Sequence, residues 1–237
     1  MLARAFATRA SLLALLLAAS SVALAKTPDT TSPPAPAPPP PSPPIAQPCQ
    51  ESTFPAVVWH RSRAVGLPWH GRLRHGVLLP SQGPNFFTWD PVRKRRPNRA
   101  WRRWGHDRLI CTLLRVAREY RQADPSAPRV GVGDISRRYG GPFGKRFGGL
   151  GHASHQYGLD VDVWYPRLDR LERRPSRVSQ IDRVRAQDLV NRFVAAGAKY
   201  IFVGPHTHLM GPRRIVRRLV FHDDHMHVRL RRRAGGL

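Results

Sequence analysis

The sequence predicts an α+β domain, a small and mainly antiparallel sheet with flanking helices, and three stretches carry that prediction. Leu109, Ile110, Leu113, Leu114, Val116, Ala117 and Tyr120 fall on one stripe at helical spacing, whereas Leu159 to Trp164 alternates as Leu-Asp-Val-Asp-Val-Trp. A second apolar stripe around Ile181 to Ala196 leads into the aromatic and β-branched run Tyr200 to Val203. Periods of 3.6 and 2 need different backbones, so helices and strands share the chain.

In chain order, Arg4 and Arg9 precede an uncharged run, Ala10 to Ala25, that ends Ala23-Leu24-Ala25. A basic start, a short apolar centre and an A-x-A end predict a cleaved secretory signal over residues 1–25. The run falls short of the roughly 20 residues that cross a bilayer, so membrane contact is expected only if this segment stays uncleaved. Residues 26–48 are mostly Pro with Ala, Ser and Thr, which predicts an extended linker without a core. One domain, 49–237, remains.

Cys49 and Cys111 are the two cysteines. In an exported protein one bridge between them is expected, with two unpaired thiols as the alternative. Closing so long a loop would stabilise by about 3–4 kcal/mol.

Residues 51–101 show no sustained period. A short strand at Val77-Leu78-Leu79, a turn at Ser81-Gln82-Gly83-Pro84 and a solvated loop at Arg93-Lys94-Arg95-Arg96 are expected there. Asp107 stands at the start of the first helix and Asp124-Pro125 ends it; Arg129 to Gly133 reads as a strand. The second helix directs Ile181, Val184, Leu189, Phe193 and Val194 inward, with Gly197 just past its end. A loop from Gly204 to Pro212 leads to a last strand region, Ile215 to Leu230.

The net charge of +25, nearly all arginine, predicts attraction to polyanions. In an exported chain these are anionic wall polymers; nucleic acid is not expected.

Eleven histidines are present, and five lie in two strings: His152-Ala-Ser-His155-Gln-Tyr-Gly-Leu-Asp160-Val-Asp162 and His222-Asp-Asp-His225-Met-His227-Val228. On a strand His225 and His227 share one face while Met226 and Val228 take the other, and Asp162 likewise opposes Val161 and Val163. Gly158 lets the chain turn between His155 and Asp162. Three N or O donors with a fourth position open to solvent form a catalytic zinc site. His206-Thr-His208, in the loop, is a rival pair, whereas His60, His70, His75 and His106 read as core histidines. Asp160 reads as a carboxylate supporting a ligand, and Asp223-Asp224 as turn and capping residues.

These strings resemble the LAS metallopeptidases, named for lysostaphin, the D-Ala-D-Ala peptidases and sonic hedgehog, and most closely the penicillin-insensitive murein endopeptidases. The likeness covers roughly Val130 to Leu230. It implies a hedgehog-like metallopeptidase domain in which His155, Asp162 and His227 bind Zn2+, His225 acts as general base or transition-state partner, and His222 assists. It assigns His152 to a second metal with downstream acids. Asp182 is the one nominee among these; where a further acid is expected, Arg185 stands. The implied substrate is the peptide stem of peptidoglycan, cut at the D-alanyl to diaminopimelyl cross-link in the periplasm or cell wall. A carboxypeptidase of the same fold, a silent wall-binding module and a nucleic-acid binder are the alternatives. Lys145 and Arg146 are candidates to hold substrate.

Overall fold

The computed structural model describes residues 49, 54–143 and 152–232. The expected leader and linker, the Gly148–Gly151 run, and Lys145 and Arg146 lie outside the described residues. Eleven strands and two helices are described. A hairpin pairs β1 (Arg63–Leu67) with β2 (His70–Arg74), and β3 (Val77–Leu78) pairs with β6 (Trp104–Gly105). The main sheet uses β4 (Gln82–Gly83), β5 (Phe86–Thr88), β7 (Val130–Val132), β8 (Asp160–Trp164), β9 (Ala198–Val203), β10 (Val216–Arg218) and β11 (His225–Leu230). Its order is β10-β9-β11-β8-β7-β5-β4. The pairs β9/β10 and β5/β7 are parallel and the other four antiparallel, so the sheet is mixed with antiparallel pairing dominant.

The helices α1 (Asp107–Ala123) and α2 (Arg183–Ala195) share one core with the sheet. Val161 and Val163 of β8, Met226 and Val228 of β11, and Ile201 and Val203 of β9 are fully buried with Leu113, Ala117, Leu189 and Phe193 of the helices. The alternate residues of β8 and β11 therefore stand on the other face. Each of the four β8 and β11 core side chains contributes roughly 1.5–3 kcal/mol by burial. A one-residue slip would exchange them all for Asp, His and Arg, which locks the register.

Three local expectations are corrected by the structure. The turn expected at 81–84 lies at Pro84-Asn85, because Gln82 and Gly83 pair with Phe87 and Phe86. His106 is the N-cap of α1, its ring nitrogen accepting from the Arg108 backbone N–H, and Asp107 serves the same terminus as expected, its Oδ1 accepting from that N–H at 2.6 Å. Val184 is 82 % exposed, because Asp182 caps α2 and the buried stripe then runs through Ala186, Leu189, Val190 and Phe193. His60, His70 and His75 are exposed on irregular or hairpin backbone and do not belong to the core.

The last strand region divides in two. After β10 the chain turns at Val220-Phe221, where Phe221 adopts φ +65°, and crosses the end of β9 before returning as β11. Gly204 makes that crossing possible: a Cβ there would lie 2.6 Å from Asp223 Cα. Gly197 ends α2 at φ +81°, as its place past the helix predicts.

Cys49 and Cys111 form a disulfide with Cα atoms 5.6 Å apart, joining the start of the domain to α1 across 62 residues of sequence. Among the described residues no helix is long and apolar enough to cross a membrane. Replacing both cysteines with serine should lower the melting temperature by on the order of 10 °C, as expected for losing about 3–4 kcal/mol of loop restriction. An unchanged melting curve would show that this cross-link leaves stability unaffected.

Candidate metal centre

The polar face of β8 and β11 converges with the loop that precedes β8. Asp162 and His227 are direct partners across the antiparallel pair. His155 arrives from the loop in a left-handed conformation, φ +71°, uncommon for a residue with a side chain. Gly158 follows at φ +79°, and its lack of a side chain leaves room for Leu73 and the His106 backbone.

Three atoms form a nearly equilateral triangle. His155 Nε2 lies 3.2 Å from His227 Nδ1, and each is 3.3 Å from Asp162 Oδ1. Donors about 2.0–2.1 Å from a tetrahedral ion stand about 3.3 Å apart. Asp162 Oδ1 is buried and accepts no hydrogen bond, a costly state for a charged oxygen unless a cation faces it. The donor set therefore fits a divalent cation.

Neighbouring groups fix which ring atoms face the centre. His155 Nδ1 is 2.7 Å from the Ile135 carbonyl and donates to it, leaving the Nε2 lone pair free. His227 Nε2 is 2.8 Å from Asp160 Oδ1, which leaves Nδ1 to point inward. Asp160 also accepts from Arg229 Nε. Such outer partners orient ligating imidazoles and raise their basicity. Burial opposes charge on His227, yet its hydrogen bond to Asp160 and the negative charge of Asp162 beside it push its pKa up to about 9. A bound cation displaces that proton. Burial alone would raise the Asp162 pKa; the nearby His155 and His225 hold it well below the usual carboxylate range.

His225 lies beside the triangle, its Nε2 3.7 Å from Asp162 Oδ1 and its Nδ1 2.6 Å from Asp224 Oδ1. His222 stacks on it, ring centroids 4.7 Å apart. Burial, and then the charge of His225, push the His222 pKa down to about 4, so it is neutral at ordinary pH.

His152 takes the opposite side of Asp162. Its Nε2 is 2.8 Å from Asp134 Oδ2 and 3.9 Å from Asp162 Oδ2. It can join His155 and Asp162 in a second, overlapping donor set, the three offering atoms within 4.8 Å of one another. Asp182 does not serve His152 in this structure: one oxygen accepts from the Arg185 backbone N–H and the other from its guanidinium. The carboxylate beside His152 is Asp134, which sequence reasoning missed because it stands just past the end of β7 without a flanking motif. The role of Asp224 was also hidden, since an Asp-Asp pair before a strand reads as a turn. His206 and His208 are exposed, and His206 pairs with Asp223.

Residues 64–210 match the family described as penicillin-insensitive murein endopeptidase. The matched stretch holds His152, His155 and Asp162 and stops before β11, so the place of His227 rests on the register of β11 with β8. A curated protein of that name from Pectobacterium atrosepticum is 34 % identical over 162 residues, 57 % of this chain and 55 % of that protein. Another, from Salmonella arizonae, is 32 % identical over 147 residues, 62 % of this chain and 46 % of that protein. The chain thus spans about half the length of the curated relatives it matches.

Replacing Asp160 with asparagine should weaken metal binding about 10- to 100-fold while leaving the protein folded. Chelator competition measures this; wild-type affinity in Asp160→Asn would mean that the hydrogen bond to His227 does not tune the centre.

Proposed function

The chain belongs to the penicillin-insensitive murein endopeptidase family, and from that premise we propose that it is an exported zinc peptidase that hydrolyses peptide cross-links of peptidoglycan, at the D-alanyl to diaminopimelyl bond. The observation that carries the reading is the triangle of His155 Nε2, Asp162 Oδ1 and His227 Nδ1 with edges of 3.2–3.3 Å. Two imidazoles and one carboxylate suit zinc. A fold kinship with the LAS metallopeptidases belongs to the same reading, supported by the two histidine strings and by a mainly antiparallel sheet that carries them.

His155, Asp162 and His227 would hold the zinc. A zinc ion supplies a Lewis acid that acidifies water and polarises the scissile carbonyl. His225 is placed to take a proton at Nε2, because its Nδ1–H donates to Asp224 and so orients the ring. His222, neutral and stacked on His225, keeps that ring against the centre. His152, with Nε2–H directed at Asp134, offers its remaining edge to the substrate or to the ion. No serine or cysteine nucleophile is needed, which accounts for indifference to β-lactams.

A leader over residues 1–25, read from the sequence, would place the enzyme outside the cytoplasm, where its arginine-rich surface would meet anionic wall polymers. Two experiments test the proposal. Purified sacculi digested with the protein should release monomeric peptide stems from cross-linked dimers; release of free D-alanine alone would make it a carboxypeptidase, and no release a wall-binding module. His225→Ala should keep near-stoichiometric zinc while turnover falls roughly 10²–10⁴-fold. His227→Ala should lose both metal and activity, and the opposite pattern of zinc retention would reverse the two roles.

A further inference from the structure

The strand registers place one row of side chains straight across the polar face of the sheet. Asp162 of β8 pairs with His227 of β11, His227 with Phe202 of β9, and Phe202 with Arg217 of β10. Directly paired residues project on the same side. The row therefore runs from two of the candidate ligands, over an aromatic ring, to a guanidinium at the edge of the sheet. Ring contacts agree: the Phe202 ring lies 5.6 Å from that of His227 and 5.9 Å from that of Tyr200. The guanidinium of Arg217 sits 4.5 Å from the Tyr200 ring centroid.

Arg217 is exposed, and no ion pair to it exists among the described residues. Its contact with the Tyr200 ring limits the freedom a long side chain would lose on binding an anion. Lys199 Nζ lies 5.3 Å from the same ring centroid, so two cations gather on one aromatic shelf. At about 4.8 Å per strand, Arg217 begins about 10 Å from His227. An extended peptide covers that distance in about three residues.

We propose that Arg217, on the shelf of Tyr200 and Phe202, is a carboxylate-binding subsite that selects acidic peptides with a free carboxylate about three residues from the bond to be cut. This rests on the peptidase reading above and deepens it. A planar guanidinium receives a carboxylate through two parallel N–H donors, which fixes orientation as well as charge. Phe202 supplies an apolar floor between that anchor and the metal ligands, along which the intervening peptide lies.

The test uses the metal-loaded full chain with two cross-linked peptides, one bearing the free carboxylate and one with it amidated. Wild-type protein should show a KM about 5- to 10-fold lower for the free acid, the range expected for one charge-assisted contact at an exposed site. Arg217→Gln should erase the difference by raising KM for the free acid alone. Arg218→Gln, one residue along and on the other side of β10, serves as the control and should retain the preference. Calorimetry with the corresponding cleavage products gives the same comparison without turnover. If the protein cleaves both peptides and Arg217→Gln still prefers the acid, the subsite is refuted and the peptidase reading stands. If neither peptide is cleaved but wild type binds the acid more tightly than Arg217→Gln does, the subsite stands and the peptidase reading falls.

Discussion

Asp162 presents a charged oxygen that is buried, faces two imidazoles 3.3 Å away and accepts no hydrogen bond. Such an oxygen is stabilised chiefly by positive charge, and much of the surrounding architecture serves to supply it. His227 meets it because β11 lies in register with β8. His155 meets it because the preceding loop enters a left-handed conformation and turns again at Gly158. Asp160 and the Ile135 carbonyl each take the far nitrogen of one ring, so both lone pairs point inward. Fixing the rings in advance would spare such a centre their ordering cost on binding an ion.

The amino-terminal part of the domain reaches the site through a second buried charge. Asp134, fully buried, accepts from Arg102 and from Asn98 Nδ2 and pairs with His152. Burial would raise its pKa, but Arg102 and His152 keep the carboxyl below its ordinary value. The Arg102 guanidinium packs 4.9 Å from the Trp101 ring centroid and 5.1 Å from that of Phe143. Removing either partner of a buried pair leaves the other uncompensated, at a cost of about 3–5 kcal/mol. Positive charge already supplied by Arg102 also makes Asp134 a poor ligand for a second cation, so the carboxylate serves chiefly to aim His152.

The helices, β7, β8 and β9 were legible because their periodicity is long or clean. So were the two histidine strings, since strand alternation sorts imidazoles from apolar neighbours without knowledge of what lies alongside. What stayed hidden depends on partners distant in sequence. Arg102 and Asp134 stand 32 positions apart, and neither has a local pattern. Asp224 gains its meaning from the ring of the next residue, turned toward it only once β11 is in place. Val184 and the divided last strand were misread for a related reason: a cap fixes the phase of a helix, and a turn held by Asp223 against Gly204 cannot be seen in a run of polar residues.

Strand β11 devotes its odd positions, His225, His227 and Arg229, to the polar face and its even positions, Met226, Val228 and Leu230, to the core. Natural selection therefore acts on the two subsets for different reasons. A descendant that had abandoned chemistry would still need every even residue in order to fold, while its odd residues drifted. Eroded imidazoles between intact aliphatic neighbours would mark such a lineage, and the ratio of change at the two sets would record how long ago its activity was lost.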